Sequence, residues 1–488
     1  MVFGRARRVV VRGAADRDTF LQPPLLPTVH LTYTHTSAMS ACAESALTLV
    51  QSIPVGDFNI GLAPCARPTW EVLTNLAKSS KKSLDATAMY VDLLGLRDRE
   101  LFSASQMKAL GGDRGYELFD AMRTAAHRGV AIRLLLGTLQ DPLNSTEVRT
   151  LLEFPNVQAR QWDPTHWYGG GIMHAKVWVA DAQTAYIGSA NSDWKSLAQV
   201  KELGLLLDGM HAAEGVDELA SFFELFWRWA SPTFSTSRVT AWSPTYQTTL
   251  TLPPWDPAVP AATRGRNPFA SSRSLRSRFD IKSPFPLPGG ASGFVSASPS
   301  GALAGVRVAD EDALVYTLRD ATTSACLSVM DFLPASAYSG GHGGAPVHWP
   351  ALTDAMLAAV YAKPLKMRLL VSFWAHTEAT QVAAMRRLAD GLAACAAGYT
   401  ACAGTLEVRQ YFVPGWNATA NATAGVWPSF SRVNHAKYIV TDRRLNVGTS
   451  NWQWGYFHDT VAIGASLNAL GTCYPTLPLP ACPWHDLT

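Results

Sequence analysis

The sequence predicts an α/β protein built from two pseudo-twofold-related domains, each a mixed β-sheet flanked by helices, with one site shared at their interface. Three observations predict it. Strands alternate with helices along most of the chain, the pattern of sheets covered on both faces. The same order of elements occurs twice. Each copy then ends in the same short polar signature. Composition agrees: 48% of the 488 residues are hydrophobic and 16% charged, enough apolar material for two or three cores and too little charge for a disordered chain. Lys and Arg exceed Asp and Glu by only 41 − 38 = 3, so a polyanion site has to be a local concentration of charge rather than an overall basic field.

In the first copy a helix is expected near residues 69–80, followed by the apolar run Leu84 to Leu94. A second helix, around Tyr116 to Arg128, carries Tyr116, Phe119, Met122 and Ala126 at helical spacing and stops at Gly129. Val130, Ile132, Leu134 and Leu136 alternate as a strand, a third helix covers 145–153, and Val157 to Trp162 form another strand. The second copy repeats this order as a helix near 311–322, the run Cys326 to Leu333, a helix near 351–362, the strand Leu365 to Phe373, a helix near 377–394 and the strand Leu406 to Val413. Arg160-Gln161-Trp162 and Arg409-Gln410-Tyr411 support the register.

These boundaries divide the chain into a disordered or targeting segment (1–41), an N-terminal domain (42–231), a Pro/Ser/Arg-rich linker or insertion (232–300), a C-terminal domain (301–466) and an irregular Pro-rich tail (467–488). Arg5, Arg7, Arg8 and Arg12 around Val9 to Val11 resemble an Arg-rich presequence more than a signal peptide. No apolar run is long enough to span a membrane. Sequons at Asn144, Asn417 and Asn421 fit passage through a secretory pathway. Cys42, Cys65, Cys326, Cys395, Cys402, Cys473 and Cys482 have no metal-ligand spacing, which argues against zinc and leaves one or two disulfides open. In the linker, Arg264, Arg266, Arg273, Arg276, Arg278 and Lys282 face the single acid Asp280; a solvated linker is the leading reading and an anion-binding flap the alternative.

The chemistry lies in the repeated signature. His174-Ala-Lys176 is followed by Asp181, and His435-Ala-Lys437 by Asp442, so both halves read HxKxxxxD. Each then reaches a small-residue turn ending in Asn, at Gly188 to Asn191 and Gly448 to Asn451. One such pattern is a weak signal; two, each closing a repeat, are not readily assigned to chance. Residues i and i+2 of a strand share a face, which sets each Lys beside its His. If the halves meet about a twofold axis, two imidazoles, two ammonium groups and two amides converge on a volume that suits a phosphate. Lys176 and Lys437 would supply charge, Asn191 and Asn451 neutral donors, and His174 and His435 a nucleophile and a general acid. Glu202 and Asp459, each just past the Asn turn, are the candidates to orient the imidazoles. Asp181 and Asp442 belong to the catalytic signature, though closing a strand turn suits them better than direct chemistry. Trp162, Trp167, Tyr168, Trp194, Trp374 and Trp452 are candidates for stacking bases.

Residues 174–204 and 432–457, with Phe332 to Pro334, Trp349 to Leu352 and Ser372 to Glu378, resemble the phospholipase D superfamily with its two HKD motifs, and in particular its D3/D4 branch. The resemblance runs from about residue 42 to about 465. It implies two phospholipase D domains sharing one active site, a covalent phosphohistidine intermediate, no metal and no cofactor. It further implies a 5′-exonuclease on single-stranded DNA and RNA in endolysosomes or the secretory-pathway lumen, with phospholipid transphosphatidylation as the alternative and a silent scaffold as a third reading. The partners implied are single-stranded nucleic acid or phospholipid; no protein partner is identifiable beyond a second copy in a homodimer. Carried onto this chain, His174 is assigned as nucleophile and His435 as acid, although the residues themselves do not separate the roles. The sequence departs from the branch in showing no N-terminal anchor, in a longer and more basic linker, and in a Pro-rich end where a final helix is expected.

Overall fold

A computed structural model describes residues 46–56, 61–63, 65–336, 347–392, 402–416 and 427–468. The N-terminal arginines, Cys42, Cys395, Cys473, Cys482, the sequons at Asn417 and Asn421, and the tail past Asn468 lie outside the described residues. Cys65, Cys326 and Cys402 are each disulfide-bonded, so at least two bridges exist. Asn144 is exposed, and its side-chain amide donates to Asp141 at 2.7 Å.

The first half contributes β1 (Leu47–Ser52), β2 (Arg67–Pro68), β3 (Ser83–Ala88), β4 (Val91–Asp92), β5 (Ala131–Leu136), β6 (Val157–Gln161), β7 (Val177–Ala180), β8 (Thr184–Gly188), β9 (Ser192–Asp193) and β10 (Glu202–Asp208). Its sheet runs β2-β1-β10-β8-β7-β3-β5-β6, with β4 and β9 pairing apart from it. A hairpin follows, β11 (Val239–Ser243) with β12 (Thr248–Leu252). The second half contributes β13 (Phe285–Pro286), β14 (Ser292–Ser298), β15 (Val308–Ala309), β16 (Ser324–Val329), β17 (Lys366–Ser372), β18 (Thr405–Tyr411), β19 (Tyr438–Thr441), β20 (Arg444–Gly448) and β21 (Ala462–Asn468). Its order, β13-β14-β21-β20-β19-β16-β17-β18 with β15 beside β14, reproduces the first sheet with β15 in the place of β2 and β13 as an added strand.

Each sheet is parallel on one side, where helices such as Asp113–His127, Ala351–Ala362 and Ala379–Asp390 make the crossovers, and antiparallel on the other. The expected helices are present within a few residues of their predicted ends. Phe119, Met122 and Ala126 are buried as their spacing requires, whereas Tyr116 is 52% exposed: the apolar stripe of that helix is carried by Leu118 and Ala125 instead.

The repeat extends further than the sequence shows. β14 pairs with β21 in the second sheet as β1 pairs with β10 in the first, and β15 enters the helix Asp310–Asp320 as β2 enters Thr69–Ser79. The boundary at residue 300 is therefore too late. Ser292–Ser298 reads Ser-Gly-Phe-Val-Ser-Ala-Ser, whose small polar residues look like loop composition, but all except Ser292 are buried in a central strand. The linker is packed rather than loose, with Trp255, Phe269 and Leu275 in the core, but the six basic residues of its charge run are exposed as a solvated run would be, Arg264 donating to the Val259 and Pro257 carbonyls and Arg278 pairing with Asp217 at 3.0 Å.

One large core spans both halves. The helix Gly209–Trp229, interrupted at Ala212, places Phe222, Phe223, Phe226 and Trp229 against β7, β8 and β10 of one sheet and β14 of the other. A fully buried ion pair, Arg307 to Glu218 at 2.7 Å, joins the second half to this helix. Removing either partner would strand a buried charge, so the pair fixes how the halves sit.

Candidate active site

Each His-Ala-Lys segment lies just ahead of its strand, not inside it, and reaches across to the opposite half. Met173 bridges to Val461 and Asn434 to Lys201. The His174 amide donates to the Val461 carbonyl at 2.7 Å, and the His435 amide to the Lys201 carbonyl at 2.8 Å. Gly171, at φ +87°, permits the approach: a Cβ there would come within 2.0 Å of the Asp459 carbonyl oxygen. These reciprocal contacts set the two imidazoles edge to face with ring centroids 6.2 Å apart.

The lysines share the same buried volume. Nζ of Lys176 donates to the His174 carbonyl at 2.8 Å and Nζ of Lys437 to the His435 carbonyl at 2.5 Å. Burial and the neighbouring ammonium hold Lys176 well below its ordinary pKa, and burial brings Lys437 down to about 7 against the pull of Glu202 and Asp331. Burial, then the two lysines and His435, hold His174 well below the usual imidazole range. Burial is the leading cause at all three groups, so a bound phosphodiester, by adding negative charge beside them, would favour their protonated forms.

The turn residues complete the cradle. Asn191 donates from Nδ2 to the Tyr90 hydroxyl at 3.3 Å, and Asn451 to Asp331 Oδ2 and the Tyr456 hydroxyl, both at 3.1 Å. Tyr90 in turn donates to Asp193, and the Tyr456 ring lies edge-on to His174 at 5.0 Å. Sequence reasoning missed Tyr90, Asp193, Asp331 and Tyr456. A signal existed for two of them: Met89-Tyr90 and Met330-Asp331 follow the equivalent strands β3 and β16.

The orienting acids are not equivalent. Glu202 reaches the opposite half, with both carboxylate oxygens 2.9 Å from Nδ1 of His435, and accepts from the Ser189 hydroxyl at 2.5 Å. Burial opposes its ionisation, but His435, Lys437 and Ser189 bring its pKa below the ordinary value. Burial outweighs Glu202 at His435, which also lies low; a neutral ring that donates from Nδ1 keeps its Nε2 lone pair available.

Register makes Ala462, not Asp459, the counterpart of Glu202: Leu203 accepts from Ser189 N and Ile463 from Thr449 N, so the residues before them correspond. Asp459 falls three positions earlier, at the end of the short helix Gly455–His458. There it accepts from the Thr460 hydroxyl at 3.3 Å and lines a cavity of about 860 Å³ with Tyr246, Asp256 and His458. Among the described residues no hydrogen bond joins Asp459 to His174, whose buried Nδ1 has no hydrogen-bond partner there.

Asp181 and Asp442 lie away from the imidazoles, past the far ends of β7 and β19. Asp181 accepts from the backbone of Lys81, Lys82 and Ser83 at 2.6–2.8 Å, and Asp442 from Thr322, Thr323 and Ser324 at 3.0–3.3 Å. Each carboxylate satisfies amides at the start of the neighbouring strand, a structural task that a fixed spacing from the His serves well. The stacking candidates are also corrected: Trp162, Trp167, Tyr168, Trp194 and Trp452 are core residues, and only Trp374 is partly exposed.

Comparison with known proteins agrees with the geometry. A family model described as "PLD3/4, PLD-like domain" matches residues 264–415, and one described as "Cardiolipin synthase, PLD-like domain" matches residues 74–227. Phospholipase D Z of Dictyostelium discoideum is 30% identical over 87% of this chain and 85% of its own length. The 5'-3' exonuclease PLD3 of Macaca fascicularis is 30% identical over 86% of this chain and 74% of its own.

Proposed function

The chain belongs to the phospholipase D superfamily and is a phosphodiesterase of that group, and we propose that it cleaves without metal, through a phosphohistidine, as a 5′-exonuclease on single-stranded DNA or RNA. The observation that carries the chemistry is the pair of imidazoles 6.2 Å apart, each delivered by a different half. Nε2 of His435 attacks phosphorus, and the bond to the leaving oxygen breaks as His174 gives that oxygen its proton. His174 then takes a proton from water, the water oxygen attacks phosphorus and the P–N bond breaks. The sequence expectation named His174 as nucleophile. Geometry favours His435, because Glu202 fixes its tautomer and would balance the positive charge of a phosphoimidazolium. Lys176, Lys437, Asn191 and Asn451 hold the non-bridging oxygens.

The exonuclease reading is supported by the relatives named as exonucleases and by the PLD3/4 model over the second half. Phospholipase action is the second reading, favoured by relatives of similar identity named phospholipase D. Fluorescent single-stranded oligonucleotides offered beside short-chain phosphatidylcholine separate them. The oligonucleotide should be consumed from its 5′ end, in EDTA as well as without it. His174→Ala and His435→Ala should each lose about 10³-fold or more in rate. Lipid cleavage with inert oligonucleotides would reverse the assignment, and equal activity in both variants would remove the enzyme reading.

A further inference from the structure

One aromatic group remains at the surface beside the phosphate cradle. His376 stacks on Phe430 with ring centroids 5.2 Å apart and planes 15° from parallel, and Trp374 meets His376 edge-on at 4.7 Å. His376 is exposed, and Phe430 is 52% exposed. Phe430 also has φ +59°, a left-handed backbone that a bulky residue adopts at a cost and keeps only where the surroundings impose it. Leaving a large apolar ring in water from a strained backbone serves no packing purpose.

The group is tied to the site by short links. The Trp374 indole donates to Asp331 Oδ1 at 2.8 Å, and the other carboxylate oxygen accepts from Asn451. Trp374 also packs on Met330, Val433 and Val200. The Met330 sulfur is 3.9 Å from Nζ of Lys437, and Val433 lies two residues before His435. Through Trp374 the rings are therefore joined by direct contacts to the residues that flank Lys437 and Asn451.

We propose that His376 and Phe430, braced by Trp374, form a stacking platform for an unpaired base next to the scissile phosphate. This rests on the nuclease reading and gives it a specificity element: a paired terminal base is held by its partner and by stacking on its neighbour and cannot turn onto the platform, whereas every unpaired base is free to present a π-face whatever its identity. An acyl chain would need a continuous apolar wall, and a His-Phe stack offers two ring faces with a polar edge between them.

The test compares two single-stranded substrates, one ordinary and one with abasic residues at its 5′ end, cleaved by wild type, Phe430→Ala, His376→Ala and Phe430→Trp. On the ordinary strand each alanine variant should lose roughly ten-fold in kcat/KM, within the range for one stacked base. On the abasic strand the variants should match wild type, and Phe430→Trp should retain activity on both. Equal losses on both strands, or none on either, would overturn the platform while leaving the nuclease reading intact. A wild type inert on oligonucleotides whose lipid cleavage falls in Phe430→Ala would overturn both, assigning the rings to acyl contact.

Discussion

At the scale of single residues, the site is a set of basic groups whose protonation is opposed chiefly by burial. Lys437 is the clearest case, because burial lowers its pKa to about 7 with only Glu202 and Asp331 opposing. Protonation persists below that value and is lost above it, so the free enzyme loses charge for the non-bridging oxygens as pH rises. kcat/KM, which reports the free enzyme, is therefore expected to fall as pH rises through about 7, while the alkaline limb of kcat, which reports the complex, lies higher because bound phosphate returns the proton. A pH–rate series on an oligonucleotide checks this; a flat kcat/KM profile on the alkaline side would contradict it. The same scale marks where the sequence was legible. His174, His435 and their lysines could be read from spacing, because a repeated motif needs no coordinates. The crossing of Glu202 to His435 could not be read, since it depends on which half the strand start faces. The offset of Asp459 is one of register, and the order of residues past the Asn turn does not disclose it.

Elements explain why the third member of the signature sits at a constant distance from the histidine. Asp181 and Asp442 leave β7 and β19 at the end opposite the site and bind the first amides of β3 and β16. These bonds outweigh the modest burial that opposes ionisation and hold both carboxyls below their ordinary pKa. A depressed carboxyl contributes stability above its unfolded pKa and loses it as pH falls through the folded value. Asp442→Ala should lower stability by roughly 1–3 kcal/mol, toward the small end because the group is partly solvated, with kcat/KM within about two-fold of wild type. Thermal unfolding beside an activity assay measures both, and a large loss of kcat with an unchanged midpoint would return this residue to the chemistry. The helices named from amphipathic pattern lie close to their expected places, since burial of one face leaves a period in the sequence, but the helix Gly209–Trp229 is not among them. β14 was missed because a central strand filled by Ser, Gly and Ala leaves the same composition as a loop.

The molecule as a whole is two copies of one architecture that share a core and, between them, complete one site. The helix Gly209–Trp229 and the Arg307–Glu218 pair fix the relation of the sheets, and the reciprocal hydrogen bonds of His174 to Val461 and His435 to Lys201 carry that relation to the reacting groups. Shared packing of this kind could be anticipated from the repeat, but the path that joins the copies could not, because the linker's Pro- and Ser-rich composition hides Trp255, Phe269 and Leu275 as core residues. Trapping the covalent adduct tests the whole arrangement most directly. With a single-stranded oligonucleotide carrying 32P at its 5′-terminal linkage, acid-labile label is expected on the peptide containing His435. It should vanish in His435→Ala, whereas in His174→Ala, which lacks both the proton donor for the leaving oxygen and the base for water, it should form more slowly and, once formed, persist. Label on neither histidine under conditions of active turnover would contradict a phosphoryl group passed between the two halves.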